Sequence, residues 1–316
     1  METHPIQQAD HLTTREVSTE SPEYADALHL LLGVSERRLP DRNHPTVREF
    51  LDDAQCRSLR IEPVVATFSG KQMVAAAAGV ESPGSAALVL APVESACPTT
   101  IMDYVPSVRS VCRGLRSRCV LLTEFLVPSG ESPWSTVAQG AGLDYLTDLV
   151  YLVRRAGYHS GPGQIRRDLR WIPFTHDSRS VFEQTIVATY AGSADCPELC
   201  GVRPARDVLA GHRAAGDFDG ALWSVAMHNG TPVGIVLLAR LSHHNALELV
   251  YMGVIQNARG QGVGDALLRR AVDTLELEGA TTLALAVDER NAQARRVYKR
   301  WGFTERARRS VWIATP

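Results

Sequence analysis

The chain lacks a dominant charge: 33 Lys and Arg stand against 35 Asp and Glu, a formal net charge of -2 over 316 residues. No global positive field calls for nucleic acid or an anionic membrane surface. It lacks an apolar run of the roughly 18 residues needed to span a bilayer. The polar first stretch holds no hydrophobic segment of a secretory signal. A disulfide framework is missing too. Six cysteines (Cys56, Cys97, Cys112, Cys119, Cys196, Cys200) are scattered without a small-domain pattern. These absences predict a reduced, cytoplasmic protein with no membrane and no nucleic acid partner. Cys196 and Cys200, with His212 nearby, have no second pair to complete a zinc set, so free thiols and no metal are expected.

What remains is an ordinary globular composition, 45% hydrophobic and 22% charged. The length suits two domains better than one. Residues 1–21 read as a polar, mobile leader. From Tyr24 onward, periodicity predicts helices over 24–38 and 45–59, then strands at 64–68, 73–80 and 87–93. A helix over 100–118, a strand at 120–127, a short helix over 134–140 and a strand at 145–154 follow. The stretch Gly157 to Gly163 has linker composition. The second half predicts a strand at 169–174, helices over 180–190 and 206–215, and strands at 222–228 and 232–241. Asn229-Gly230 between those two strands is a hairpin signal. A strand from Glu248, a glycine turn, a helix from Asp265, a strand at 282–287, a helix over 291–301 and a strand at 308–313 complete the chain.

The halves are related by a near-constant shift of roughly 160 residues. Val287 falls on Val127, Gly302 on Gly142, Phe303 on Leu143 and Val311 on Tyr151. The chemical residues do not survive the shift. Gly260, Gly262 and Gly264 have no glycine counterparts, Tyr298 falls on Ala138, and Asn291 falls on Glu131. The N-terminal half is expected to keep a shape and lose a site.

The stretch Glu248 to Gly264 organises the rest. It reads as a strand, a connection, a glycine-rich turn and a helix start. Such a turn aims several backbone N–H groups at one point, and the helix dipole adds to them, so a phosphate is the expected ligand. A P-loop requires Lys-Ser/Thr after its glycines, and none follows here. A dinucleotide fold requires Gly-x-Gly-x-x-Gly directly after a strand, with Asp288 as the ribose acid. The spacing of 260, 262 and 264 and the preceding strands argue against it.

Arg259-Gly260-Gln261-Gly262-Val263-Gly264 resembles the Arg/Gln-x-x-Gly-x-Gly/Ala signature of the GNAT acyltransferases. The segment Asn291 to Phe303, with Tyr298 and a closing Gly-Phe, resembles the family's second signature. The match covers about 165–316, and 22–155 resembles a degraded copy. The resemblance implies an α/β fold: two tandem GNAT-like domains, each a mixed, mostly antiparallel β-sheet flanked by helices. The expected limits are 22–155 for the degenerate domain, 156–164 for the linker and 165–316 for the catalytic domain. It implies an acyltransferase using acetyl-CoA as donor and a primary amine of a small molecule or peptide as acceptor. Monomer and homodimer are both compatible. The two-domain length also resembles the mycothiol synthase group, so an amine of that type stands as a narrower alternative. A non-catalytic acyl-CoA sensor is the alternative of another class.

The resemblance also assigns roles. Gly260, Gln261, Gly262, Val263 and Gly264 would cradle the pyrophosphate, where a Cβ would hold it off. The bland alternative is a glycine-rich helix start with no ligand. Arg259 is either a phosphate contact or a solvated charge. Main-chain groups of Met252, Gly253 and Val254 would pair with pantetheine. Asn291 would cap its helix or bond pantetheine. Tyr298, two turns further on, is the candidate general acid or else a packing tyrosine. Its phenol, with an ordinary pKa of about 10, can protonate a departing thiolate. Glu248 is the candidate base, a water chain its substitute, and a solvated strand glutamate the alternative. Simple alternation puts Glu248, Val250, Met252 and Val254 on one side. Tyr251, Asp195 and Glu198 are candidate acceptor contacts, the two acids being equally readable as loop surface. His243 and His244 read as solvated. The basic run Arg295, Arg296, Lys299, Arg300, Arg306, Arg308 and Arg309 reads as a solvated face, with one or two contacts to a 3′-phosphate as the functional option.

Overall fold

The computed structural model describes residues 12–33, 46–93, 101–157, 161, 166–241 and 245–316. The linker reading falls largely on residues outside these, as do His243, His244 and Cys97. In the N-terminal half the order is β1 (Leu12–Glu16), α1 (Pro22–Leu31), α2 (Val47–Cys56), β2 (Arg60–Ser69), β3 (Gln72–Ser82), β4 (Ala86–Leu90), α3 (Tyr104–Ser117), β5 (Leu122–Pro128), α4 (Pro133–Ala141) and β6 (Asp144–Arg155). The C-terminal half repeats it as β7 (Arg170–Pro173), α5 (Arg179–Tyr190), α6 (Ala205–Arg213), β8 (Trp223–His228), β9 (Thr231–Leu241), β10 (Ala246–Val254), α7 (Val263–Leu277), β11 (Thr282–Asp288), α8 (Ala292–Arg300) and β12 (Thr304–Ala314). The order is a mixed, mostly antiparallel sheet with flanking helices, as the sequence predicts. One correction concerns the leader. Leu12–Glu16, read within a mobile segment, forms a strand paired antiparallel with β2.

The twelve strands of the described residues join one sheet, in the order β1-β2-β3-β4-β5-β12-β6-β11-β10-β9-β8-β7. The halves exchange their last strands. β6 pairs with β11, and β12 pairs with β5. β6 and β12 run antiparallel at the centre. Separate hydrophobic clusters form under each half. The C-terminal one buries Trp223, Phe182 and Ile235 beneath α5 and α7. Each such side chain, fully removed from water, contributes about 1.5–3 kcal/mol. α7 shows why the segment is helical. Val263, Ala266, Leu267, Leu268, Ala271, Val272 and Leu275 are its buried residues, an i, i+3, i+4 stripe. Among the described residues no helix is long and apolar enough to cross a membrane.

Candidate active site

The site begins where two strands part. β10 pairs in parallel with β11 only from Ala246 to Glu248, against Thr282 to Ala284. Beyond that point β11 stays with β6 through Asp288, while β10 stays with β9 through Val254. The β11-facing edge of Met252–Val254 therefore has no strand partner. Its N–H and C=O groups, apart from Val254 O, which accepts from Arg259, form a row open to a ligand's main-chain-like amides.

A bulge at Val250 changes which side chains point where. The β9 register jumps between Leu249 and Tyr251. Because of that extra residue, Glu248 shares a face with Tyr251 and Gly253, while Leu249, Met252 and Val254 share the other. The simple alternation expected from the sequence is corrected. The faces are fixed by neighbours. A Cβ on Gly253 would meet Thr189 of α5 at 2.6 Å, and one on Gly234 would meet Leu267 and Val263 of α7 at 3.0 and 3.1 Å. Glycine at 253 thus lets α5 lie close against the parting strand.

The glycine turn follows. Gly260 and Gly262 have φ of 76° and 78°, a left-handed conformation that favours glycine. Gly262 caps α7 with no side-chain hydrogen bond, so the first N–H groups of the helix remain available. Gly264 has nothing nearer than a Val254 methyl at 4.0 Å from where its Cβ would stand. This open cradle, the helix start and the unpaired edge fit a pyrophosphate-bearing, amide-containing ligand.

Arg259 is neither a solvated charge nor a free phosphate hook. Nε donates to Val254 O (3.1 Å), Nη1 to Gly192 O (2.6 Å), and Nη2 to Thr189 O (2.9 Å) and Ala191 O (2.8 Å). It ties the glycine turn to the carboxyl end of α5, where orphan carbonyls favour a cation. Gln261 likewise spends its amide on Asn257 O, at 2.7 Å.

These elements enclose a cleft of about 480 Å³, lined by Met252, Gly253, Val254, Arg259, Gly260, Gly262, Gly264, Asn291 and Tyr298 among others. Arg296 and Arg300 of the basic run face it. Arg300 is paired with Asp265 in the first turn of α7, at 2.7 Å, and so offsets a carboxylate that sits beside the cradle. Asn291 caps α8, its Oδ1 accepting from Ala294 N at 3.1 Å. Tyr298 is buried, its ring edge-on to Phe303 at 5.5 Å. Burial, then the nearby charge of Asp195, pushes its phenol above the usual tyrosine range, so it is protonated at neutral pH.

The acceptor candidates divide. Tyr251 and Asp195 line the cleft. Tyr251 is already bonded to Thr189 Oγ1 at 2.7 Å and stacked against His212. Asp195 accepts from Asp288 N at 2.9 Å. Its carboxyl is raised by burial, against that backbone bond. Glu198 is not part of the lining. It is held by Arg290 at 2.6 and 2.9 Å. Glu248 also lies outside the lining, on the α5 face at the fork. Burial raises its carboxyl, with Arg57 opposing.

Asp288 proves to be a fastener. It is fully buried and accepts from Thr147 Oγ1 at 2.8 Å, Cys196 N at 3.0 Å and Arg290. Burial alone would raise its carboxyl, but the bonds from Arg290, Thr147 and Cys196 outweigh this and hold it at about 2. It pins the α5–α6 loop over the end of β11, a role unlike the ribose acid weighed from sequence. Among the described residues no group of three His, Cys, Asp or Glu is placed to hold a metal.

Residues 191–303 match the family model described as Acetyltransferase (GNAT) family. That match lies within the C-terminal half, and the fold of the whole chain is similar to that of GNAT structures, a tandem one among them. It is similar to a GCN5-related N-acetyltransferase from Sphaerobacter thermophilus, with 15% identity, a TM-score of 0.64, and coverage of 96% of this chain and 95% of that one. A tandem GNAT protein from the clavulanic acid biosynthesis pathway gives 16% identity and a TM-score of 0.55 over 96% and 98% of the two chains. A mycothiol acetyltransferase from Beutenbergia cavernae is 42% identical over 57 residues, which is 18% of this chain and 19% of that protein.

Proposed function

We propose that the C-terminal half transfers an acetyl group from acetyl-CoA to a primary amine of a small molecule or peptide. One observation carries this: an unpaired strand edge, an open helix start and a buried phenol converge on one cleft. The pantetheine arm would pair with the main chain of Met252–Val254. The pyrophosphate would lie on the N–H groups of Gln261 to Gly264, with the α7 dipole behind them. Arg296 would supply positive charge at that end, while Arg300 offsets Asp265.

The neutral amine attacks the thioester carbonyl carbon, and the C–S bond breaks as the C–N bond forms. The departing thiolate takes the proton of Tyr298. The phenol can give that proton because burial keeps it on the oxygen at neutral pH. The amine's proton leaves toward Glu248, whose carboxyl burial moves toward neutrality. Glu248 stands outside the cleft lining, so water completes that path. The short similarity to a mycothiol acetyltransferase supports acetyl transfer and does not name the acceptor.

Calorimetric titration with acetyl-CoA, followed by free-thiol release with an amine panel, tests the proposal. Saturable binding and amine-dependent thiol release are expected. Absence of affinity for acetyl-CoA would overturn it.

A further inference from the structure

The strand exchange places residues of both halves on one face of the sheet beside the fork. Following the register across the sheet shows which residues share that face. Glu124 on β5 lies opposite Ile313 on β12, and Arg309, on the same face of β12, lies opposite Leu149 on β6. Tyr151, on the same face as Leu149, lies opposite Ala286 on β11, and Ala284 lies opposite Glu248. Paired residues share a face, and so do residues two apart on a regular strand. Glu124, Tyr151 and Glu248 therefore stand on one side of the sheet, the side that carries α5. Ala284 and Ala286 separate the last two. Both are small, and Ala286 is exposed although β11 is a central strand.

Glu124, Tyr151 and Glu248 are each half-buried on this face. Tyr151 lies within electrostatic reach of both glutamates and of Arg309. Arg203, from the α5–α6 loop, is within reach of Glu124, Tyr190 and His212. Arg203 itself is held by Gly84 O of the N-terminal half, at 3.1 Å. His212 stacks on Tyr251 at 5.2 Å, and its Nε2 is buried with no hydrogen-bond partner among the described residues. Groups that lose water on folding normally gain a partner, and an orphan calls for an explanation.

We propose that the N-terminal half completes the acceptor site: Glu124 and Tyr151 bind a second hydrogen-bond-donating group of the acceptor, an ammonium or hydroxyl remote from the nitrogen that is acetylated. The inference rests on the N-acetyl transfer proposed above. The reacting amine lies in the cleft at the fork, with water between it and Glu248. The rest of the molecule runs along the alanine floor of β11 toward Tyr151 and Glu124. The imidazole of His212, kept neutral by burial, offers a further polar contact from above. A simple alkylamine would reach the fork and leave the far donors' sites unfilled. Glu124 and Tyr151 are specificity residues and take no part in breaking the thioester.

The test compares 1,4-diaminobutane, 4-aminobutan-1-ol and butylamine as acceptors, and a matched set with six carbons, in the full-length protein. The wild type should favour one or both donor-bearing amines over the alkylamine, and the preferred member tells ammonium from hydroxyl. Glu124→Gln and Tyr151→Phe should each raise KM for that amine about tenfold, the cost of losing a hydrogen bond to a charged or polar group, with kcat little changed. Their affinity for acetyl-CoA, measured separately, should equal the wild type's and shows that the fold is intact. Wild-type turnover without preference, or an unchanged KM in both variants, overturns this inference and leaves acetyl transfer standing. Failure of the wild type to acetylate any of these amines or a wider panel overturns both.

Discussion

The two halves share a fork and differ in what lies past it. In the N-terminal half, β4 and β5 pair in parallel at Ala86–Leu88 with Leu122–Glu124. In the C-terminal half, β10 and β11 pair at the equivalent Ala246–Glu248 with Thr282–Ala284. Parting strands are thus a property of the scaffold. The difference lies past the fork. β4 ends at Leu90, whereas β10 bulges at Val250 and runs on to Val254, carrying an unpaired edge into the cleft. α8 presents Tyr298 where α4 buries Ala138. Topology supplies the opening, and strand length, three glycines and one phenol are what, on the function proposed above, would hold a thioester there and protonate its leaving group.

The largest expected effect breaks the comparison from the active side. Tyr298→Phe removes the proton source and leaves the cleft's volume in place. Thiol release should fall about 10²-fold or more in kcat, the usual contribution of a general acid. Affinity for acetyl-CoA should stay within a factor of about two, since the cradle is built elsewhere. Stopped-flow thiol release with parallel calorimetry measures both. Unchanged kcat would remove Tyr298 from the chemistry.

The reciprocal substitution, Ala138→Tyr, asks whether the phenol alone makes a site. Ala138 is completely buried against the α3–α4 core. A ring there overpacks that core and should cost about 1–3 kcal/mol in urea denaturation. No second acetyl-CoA equivalent should bind, because no glycine cradle accompanies it.

How much of this was legible in the sequence follows from which features are local. The glycine turn, the Asn229-Gly230 hairpin and the periodicity of α7 are local signals, and each appears where the residues put it. Gly142 and Gly302, found by the internal shift, both adopt positive φ, at 90° and 80°. Leu12–Glu16 was missed because five mostly polar residues on an edge carry no alternation. The bulge at Val250 leaves no residue signature, and it reverses the faces assigned to Met252 and Val254. The exchange of β6 and β12 is a long-range choice, so Glu124 and Tyr151 had no visible link to Glu248. Arg259 and Glu198 looked free because their partners, carbonyls of α5 and Arg290, are set only by packing.

A third prediction uses the fastener. The folded Asp288 carboxyl sits at about 2, below its ordinary 3.8. A depressed acid stabilises the fold fully above its unfolded pKa and loses that contribution as pH falls through the folded value. Asp288 should therefore supply roughly 2 kcal/mol that fades between about pH 4 and pH 2. Asp288→Asn should be less stable at neutral pH, and its urea midpoint should decline less steeply across that window. The pinned loop carries Asp195 and Cys196, so the variant should also disturb the cleft edge, which the N-terminal half does not need.

The smallest effect sharpens the comparison most, because stability and function should move in opposite directions. Gly262 has a left-handed φ, so any side chain there is strained for backbone reasons. Gly264 has no such φ and lies in the first turn of α7 with open space where a Cβ would go. Gly264→Ala should therefore leave the fold unharmed, or raise its stability by up to about 1 kcal/mol through better helix propensity. The added methyl would nevertheless occupy the cradle and hold a pyrophosphate away from the N–H groups. Affinity for acetyl-CoA should drop about tenfold, or 1.4 kcal/mol. A thermal melt and a calorimetric titration on the same sample decide it. If both stability and affinity rise, the glycine serves the helix start and not a ligand, and the chemical contrast between the two halves no longer includes position 264.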